Sequence, residues 1–179
     1  MKTFKIGGVH PAENKLSATQ SIKVAELPKV AVFPMGQHIG APAKPIVKKG
    51  DKVKVGQMIA EAGGFVSAPI FSSVSGTVLK VDTVVDASGY AKPAVYITVE
   101  GDEWVETIDR SETLVTLKDK PELTSKEIIE KIQNAGIVGM GGACFPCHVK
   151  LMPPPGSKAE FVIINAVACE PYLTADHRL

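Results

Sequence analysis

The residues of this chain that could do chemistry are concentrated towards its end, and the first group is a glycine-rich loop. Gly136-Ile-Val-Gly-Met-Gly-Gly142 has four glycines in seven positions, and Lys150 follows it. Glycine adopts positive φ freely and lets main-chain amides approach an anion closely, while a lysine ammonium can bind a phosphate. The loop is therefore a candidate anion site, although a tight turn or a flexible linker explains the same glycines. Its spacing matches neither a P-loop nor a Rossmann fingerprint.

The second group is the polar turn Asn165-Ala-Val-Ala-Cys-Glu-Pro-Tyr172, which directly follows the apolar stretch Phe161-Val-Ile-Ile164. That stretch predicts a buried strand, and α/β sheets place ligand sites where such strands end. The Asn165 amide and the Glu170 carboxylate could hold ribityl or ribose hydroxyls. An ordinary exit from a strand into a loop is the alternative.

The third group is Cys144-Phe-Pro-Cys-His148, which matches the pattern of c-type haem attachment and of redox dithiols. Haem attachment requires export, and the N-terminus has no apolar signal region. A tetrahedral metal site needs four ligands, and the one other cysteine is Cys169. We therefore predict no bound metal, with a reversible dithiol and a metal site completed by His148 and Cys169 as alternatives.

A helix is predicted just before the glycine loop. Thr124-Ser-Lys-Glu127 fits a capping box, in which the threonine side chain and the glutamate side chain each satisfy a free amide. Ile128, Ile132 and Ala135 follow at helical spacing, and Gly136 is the predicted C-cap.

The part of the chain before this helix is predicted to be all β. Short β-branched runs alternate with Gly, Pro, Asp and Ser turns, which is typical of a small barrel or sandwich. The predicted strands are Val30–Phe33, Val53–Val55, Met58–Ala60, Thr77–Val81 and Ala94–Val99, with a turn at Gly56 and a stop at Pro34. The predicted organisation is an N-terminal arm over 1–29, the β domain over 30–115, and the beginning of an α/β domain over 120–179. Ile22, Val24 and Leu27 suggest one strand in the arm, which we expect to pack on another part of the protein.

The turns of the β domain resemble those of the barrel-sandwich hybrid in biotinyl and lipoyl carrier domains. Such carriers need a lysine at the tip of an exposed hairpin. The corresponding tip is Glu61-Ala-Gly-Gly-Phe-Val-Ser-Ala68, and no lysine occurs from 55 to 79. We therefore expect a structural or docking module without a covalent cofactor.

Composition excludes several classes of protein. The 179 residues are 45% hydrophobic and 22% charged, with a formal net charge of +1. This balance is typical of folded domains and gives no electrostatic reason to expect nucleic-acid binding. No apolar run approaches the roughly 18 residues of a spanning helix. The chain is predicted to be cytosolic or cytosol-facing, and a lone helix and strand at its end suggest a fragment of a longer protein.

Four stretches together resemble the C subunit of the Rnf electron-transport complex: Gly7–Lys15, Gln37–Ala43, Gly139–Leu151 and Asn165–Arg178. In that family a barrel-sandwich domain precedes a domain similar to the NADH-binding flavoprotein subunit of respiratory complex I. The fold class that the resemblance implies is α+β and multi-domain. The residues that it implies as contacts of FMN and NADH are Gly139, Gly141, Gly142, Lys150, Asn165 and Glu170. It assigns no catalytic residue.

The resemblance also implies a function. The parent protein would transfer electrons between NADH and ferredoxin, coupled to ion transport by membrane subunits, as a peripheral protein on the cytoplasmic face of the membrane. Two [4Fe-4S] centres would lie beyond Leu179, and residues 1–179 alone are expected not to oxidise NADH. A non-catalytic docking module and a subunit of the related sodium-pumping NADH:quinone reductase are the alternatives.

The chain departs from the usual pattern of that family at three positions. It has Cys144 where a small residue other than cysteine is usual, Cys147 where threonine is usual, and Ala168 where an acidic residue is usual. The missing carboxylate at 168 puts one cofactor contact in doubt.

Overall fold

The computed structural model describes residues 11–113, 116, 118–120, 122–140, 142–163 and 170–174. The chain divides into two compact units. The larger unit runs from Glu26 to Ser157, and the smaller unit combines the segment ending at Ala25 with the segment beginning at Lys158.

The larger unit begins with short and long strands arranged in two antiparallel sheets. These strands are β1 (Val30–Pro34), β2 (Lys44–Pro45), β3 (Lys52–Val53), β4 (Met58–Glu61), β5 (Ile70–Phe71), β6 (Ser75–Val85) and β7 (Ala91–Gly101). One sheet has the order β1-β7-β6-β3 and the other β2-β4-β5. The strands predicted from the sequence are confirmed in β1, β3, β4, β6 and β7. The Gly56 turn is confirmed too, with φ of +81°.

The core of this unit lies between the two sheets. Side chains alternate across a strand, so the β-branched and aliphatic residues on one face of each sheet are buried together. The fully buried members include Met35, Ile59, Val78, Val95 and Ile97. Burial of each such side chain contributes about 1.5–3 kcal/mol, which makes this core the main source of stability of the β domain.

Two helices follow the sheets. They are α1 (Ser125–Asn134) and α2 (Cys147–Lys150). The predicted capping box is confirmed: the Glu127 amide donates to Thr124 Oγ1 at 3.3 Å, and the Thr124 amide donates to the Glu127 carboxylate at 2.7 Å. The hydrogen bonds from Thr124 lower the pKa of Glu127. Ala135 is the C-cap, and Gly136 is the next residue, with a φ of +67°. The C-cap therefore lies one residue earlier than predicted, and the glycine occupies the position after it, where a positive φ is common.

Two predicted strands are absent from the described residues. Ile22, Val24 and Leu27 are exposed and in no regular structure. Phe161, Val162 and Ile163 are also irregular, with exposures of 83%, 83% and 89%, and Ile164 lies outside the described residues. These predictions were wrong for the described residues because a strand forms only against a neighbouring strand, and no described segment pairs with either stretch.

Candidate functional site

The glycine loop between α1 and α2 is closed at its base by two main-chain hydrogen bonds. The Gly139 amide donates to the Phe145 carbonyl at 2.8 Å, and the Cys147 amide donates to the Ile137 carbonyl at 3.0 Å. These bonds form an isolated antiparallel bridge at the neck of the loop. The neck fixes where the tip of the loop lies relative to α2.

The tip of the loop presents main-chain amides that have no partner in the described part of the chain. The amides of Met140, Gly142 and Ala143 donate no hydrogen bond to any described residue. Gly142 has a φ of +113° and Cys144 a φ of +48°. Left-handed residues within a tight loop turn successive N–H groups towards one side, which makes a concavity that binds anions. The loop has the backbone chemistry of an anion site.

Lys150 brings a positive charge to the same loop. Its side chain is exposed at the end of α2, and its ammonium lies 5.9 Å from the centre of the Phe145 ring. A Cβ placed on Gly139 would come within 2.9 Å of Lys150 Nζ. The Lys150 ammonium therefore lies directly beside Gly139, and a side chain at 139 would displace this flexible group.

Of the residues predicted to contact a cofactor, the structure brings Gly139 and Lys150 together, and Gly142 lies in the same loop. Gly141 and Asn165 lie outside the described residues. Glu170 is exposed at the start of a turn in the smaller unit, and its main-chain carbonyl accepts a hydrogen bond from Lys15 Nζ at 2.7 Å. Sequence reasoning gave Lys15 no role, although it is part of one of the stretches that carry the family resemblance.

The Cys-x-x-Cys-His stretch has a different environment from that of a ligand cluster. Cys144 and Cys147 are free thiols of intermediate exposure, and His148 is 1% exposed. Neither ring nitrogen of His148 has a hydrogen-bond partner among the described residues. In the described part of the chain, no three side chains of His, Cys, Asp or Glu converge as metal ligands, and Cys169 lies outside it. The absence of a bound metal stays a prediction.

A second loop, residues 37–43, is bonded to one side of the hairpin that would carry a prosthetic group in a carrier domain. His38 is 9% exposed, and its Nε2 lies 3.0 Å from the Ala68 carbonyl and 3.2 Å from the Ala68 amide. The Ala41 amide donates to the Val66 carbonyl at 2.9 Å. A Cβ on Gly40 would come within 2.1 Å of that same carbonyl. This loop therefore fastens the hairpin, a role that sequence reasoning did not find.

The same hairpin also contacts the end of α1. A Cβ on Gly136 would lie 2.6 Å from the Pro69 carbonyl and 3.0 Å from the Phe71 ring. A small cavity of about 150 Å³ lies beside this contact, with His38 and Val138 in its wall. The hairpin thus supports the residue from which the glycine loop starts.

Comparison with known proteins assigns both parts of the chain. Residues 2–102 match the family described as the RnfC barrel sandwich hybrid domain, and residues 132–179 match the Nuo51 FMN-binding domain. These matches confirm the predicted fold class, a barrel-sandwich hybrid followed by the start of a flavin-binding α/β domain.

Three relatives, each the C subunit of its complex, match along nearly the whole chain. The chain is 47% identical to that of the "Proton-translocating ferredoxin:NAD(+) oxidoreductase complex" of Clostridium ljungdahlii, over 99% of this chain and 38% of that protein. It is 46% identical to that of the "Na(+)-translocating ferredoxin:NAD(+) oxidoreductase complex" of Acetobacterium woodii, over 99% of this chain and 39% of that protein. It is 41% identical to that of the "Ion-translocating oxidoreductase complex" of Rhodobacter capsulatus, over 100% of this chain and 34% of that protein. The chain thus spans less than two-fifths of the length of these curated relatives.

Proposed function

The chain belongs to the RnfC family, and we propose that it forms the N-terminal part of a subunit that carries electrons between NADH and ferredoxin in an ion-translocating complex. Two of the relatives are named for oxidoreduction between ferredoxin and NAD+ coupled to the translocation of protons or Na+. These names mention no quinone, which favours this function over that of a quinone reductase subunit.

The glycine loop carries the proposal, because it lies in the stretch that matches an FMN-binding domain and its geometry fits a phosphate. The amides of Met140, Gly142 and Ala143, which have no partner among the described residues, belong to this loop, and the ammonium of Lys150 lies beside Gly139. A side chain at 139 would displace that ammonium. Anionic nucleotides are bound by this combination of free amides and one cation.

A bound flavin supplies the chemistry of taking a hydride from NADH and passing on single electrons. The residues of this chain bind and orient the nucleotides. We assign the amides of the glycine loop, including that of Gly141, and the Lys150 ammonium to a phosphate. The Asn165 amide and the Glu170 carboxylate hold ribityl or ribose hydroxyls, as the family resemblance implies.

The remaining parts of the proposal concern partners and location. None of the helices in the described residues is long and apolar enough to cross a bilayer. We place the protein peripherally on the cytoplasmic face of the membrane, held there by the membrane subunits of the complex. The two [4Fe-4S] centres that the resemblance implies are expected outside residues 1–179 and would supply single-electron transfer towards ferredoxin.

The experiment is a titration of the complete subunit with FMN and with NADH, followed by flavin fluorescence. The wild type is expected to bind both. Lys150→Ala should weaken binding by about ten- to a hundredfold, because a charge-assisted hydrogen bond contributes about 1.5–3 kcal/mol. Lys158→Ala removes an equal charge from an exposed position in the smaller unit and should bind as the wild type does. A wild-type subunit that binds neither nucleotide would contradict the proposal and favour a docking module.

A further inference from the structure

Residues 13–17, called the arm segment here, lie against the turn at 170–174 although more than 150 positions separate the two in sequence. The Tyr172 amide donates to the Glu13 carbonyl at 2.8 Å. Lys15 Nζ donates to the Glu170 carbonyl at 2.7 Å. Two main-chain groups of the turn are therefore bound by the arm segment.

Side chains extend the same contact. Asn14 Nδ2 lies 3.4 Å from the Tyr172 hydroxyl, and Ser17 Oγ lies 3.0 Å from Thr174 Oγ1. Together with the main-chain bonds, these contacts reach from the first described residue of the turn to the last. The arm segment therefore holds the turn along its whole described length.

The turn needs such support because one of its residues has an unfavourable backbone conformation. Tyr172 has a φ of +68°, in the left-handed region, which side chains of L-residues disfavour. Asn14, opposite it, has a φ of +47°, which asparagine tolerates much better. A strained conformation of this kind persists where surrounding contacts determine it, and the Tyr172 amide is one of the groups that the arm segment binds.

Lys15 acts on the main chain of Glu170 and leaves its carboxylate available. The lysine is half-buried in an otherwise exposed segment. The ion pairs in the described part of the chain do not include one between Lys15 and Glu170. The ammonium binds the carbonyl and so fixes the peptide plane from which the Glu170 side chain departs.

We propose that the arm segment positions the Glu170 turn for nucleotide binding, with Lys15 as the positioning residue. This inference rests on the proposed function, in which the Glu170 carboxylate holds hydroxyls of a flavin or nicotinamide nucleotide. Lys15 touches no ligand in this role. It sets the affinity by keeping the turn in its bound conformation before the nucleotide arrives, which reduces the ordering that binding requires.

The test compares Lys15→Met, Lys15→Arg and the matched control Lys23→Met in the complete subunit. Lys23 lies in the same N-terminal segment, is exposed, and contacts no described residue by hydrogen bond or ion pair. The first measurement is amide hydrogen exchange of a peptide containing residues 170–174, without nucleotide. The second is the Kd for FMN and for NADH by fluorescence titration.

Lys15→Met is expected to speed exchange in the turn and to raise the Kd of at least one nucleotide by roughly five- to tenfold. This is less than the loss of a charge-assisted hydrogen bond to the nucleotide itself would cause, because only part of the free energy of this bond within the protein is coupled to binding. Lys15→Arg, which keeps a cationic donor, should restore most of the affinity, and Lys23→Met should match the wild type. Unchanged exchange and affinity in Lys15→Met would overturn the inference while leaving the proposed function intact. Faster exchange with unchanged affinity would do the same, because the turn would then not serve the nucleotide. A wild type that binds neither nucleotide would overturn both.

Discussion

At the scale of single residues, a side chain would disturb the two glycines of the candidate site in different ways. Gly139 lies beside the Lys150 ammonium, whereas Gly142 supplies a backbone angle that other residues avoid. This distinction determines which substitutions disturb the loop. Adding a side chain at 139 displaces a charge, and adding one at 142 bends the main chain that presents the amides.

We predict that Gly142→Val weakens FMN binding in the complete subunit and lowers the free energy of unfolding by about 1–3 kcal/mol. The cause is its φ of +113°, since a Cβ there would meet no described atom within 4 Å. Gly50→Val is the matched control, because Gly50 has a φ of +92° with equally open space in a turn of the β domain. The control should lose similar stability but keep its affinity. Wild-type FMN affinity in Gly142→Val would contradict this role of the loop.

Cys144 allows a separate prediction about strain. Its φ of +48° is unfavourable for a side-chain residue by about 1–2 kcal/mol, while glycine has a larger entropy loss on folding of roughly 0.5–1 kcal/mol. Cys144→Gly should therefore leave stability unchanged or raise it by up to about 1 kcal/mol, with FMN binding intact. Cys147→Gly, within α2, should instead be destabilising. Chemical denaturation followed by the fluorescence of Trp104 measures the stability of both variants. A clear loss of stability in Cys144→Gly would show that the thiol itself stabilises the loop.

At the scale of elements, α1 is defined at both ends by local chemistry and is docked by its C-terminal glycine. The capping box starts it, and Gly136 ends it against the hairpin of the β domain. The helix has no fully buried residue of its own. Its position therefore depends strongly on its two ends.

Gly136→Ala is expected to lower the free energy of unfolding by about 2–4 kcal/mol, the sum of left-handed strain and overpacking. The new methyl group would lie 2.6 Å from the Pro69 carbonyl, and backbone cannot move aside cheaply. Gly156→Ala is the control, because Gly156 has a φ of +80° but open space around it, so it should show the strain alone. Denaturant titration of the two variants measures the difference, and equal losses would mean that the hairpin does not support α1.

The capping box predicts a pH dependence of α1. Hydrogen bonds from Thr124 lower the pKa of Glu127, so its contribution to stability is present above the pKa of the unfolded chain and is lost as pH falls through the folded value. The protection factors of amides at the start of α1, which are corrected for the intrinsic exchange rate at each pH, should therefore fall below about pH 4. Glu127→Gln should show a smaller fall. Glu130→Gln, on the same helix but outside the capping box, should follow the wild type. If the wild type and both variants had the same acid response, carboxylates other than Glu127 would cause it.

At the scale of the whole molecule, the β domain has the architecture of a carrier, but its hairpin is hydrogen-bonded to a neighbouring loop. The hairpin is bonded to residues 37–43 through His38 and Ala41, and it contacts Gly136. A swinging arm needs an exposed tip with a lysine, and this hairpin has neither a lysine nor freedom at its base. The domain is therefore built to support its neighbour.

From this we predict that the intact mass of the protein equals the mass of its sequence. Mass spectrometry of the protein isolated from cells with active biotin and lipoate ligases would check it. An increment of the size of biotin or lipoate would contradict it.

Several structural features could be predicted from the sequence because each depends on residues that are close together in the chain. The capping box at Thr124, the Gly56 turn and the strand ending at Pro34 each depend on residues within a few positions of one another, and the structure has all of them. The glycine loop and Lys150 were predicted as a candidate anion site for the same reason, because their residue types and spacing are typical of such sites. The family resemblance added roles for residues that no local rule assigns, and the family match confirmed that resemblance.

The tertiary structure alone decided what depends on partners distant in sequence. Phe161–Ile163 has the composition of a buried strand, yet it is exposed because no described segment pairs with it. Conversely, Lys15 and His38 carry no chemical signal in the sequence, and each acquires its role by reaching a carbonyl group far along the chain. Local preferences are fixed by neighbouring atoms, whereas burial and long-range hydrogen bonds exist only once the chain has brought remote segments together.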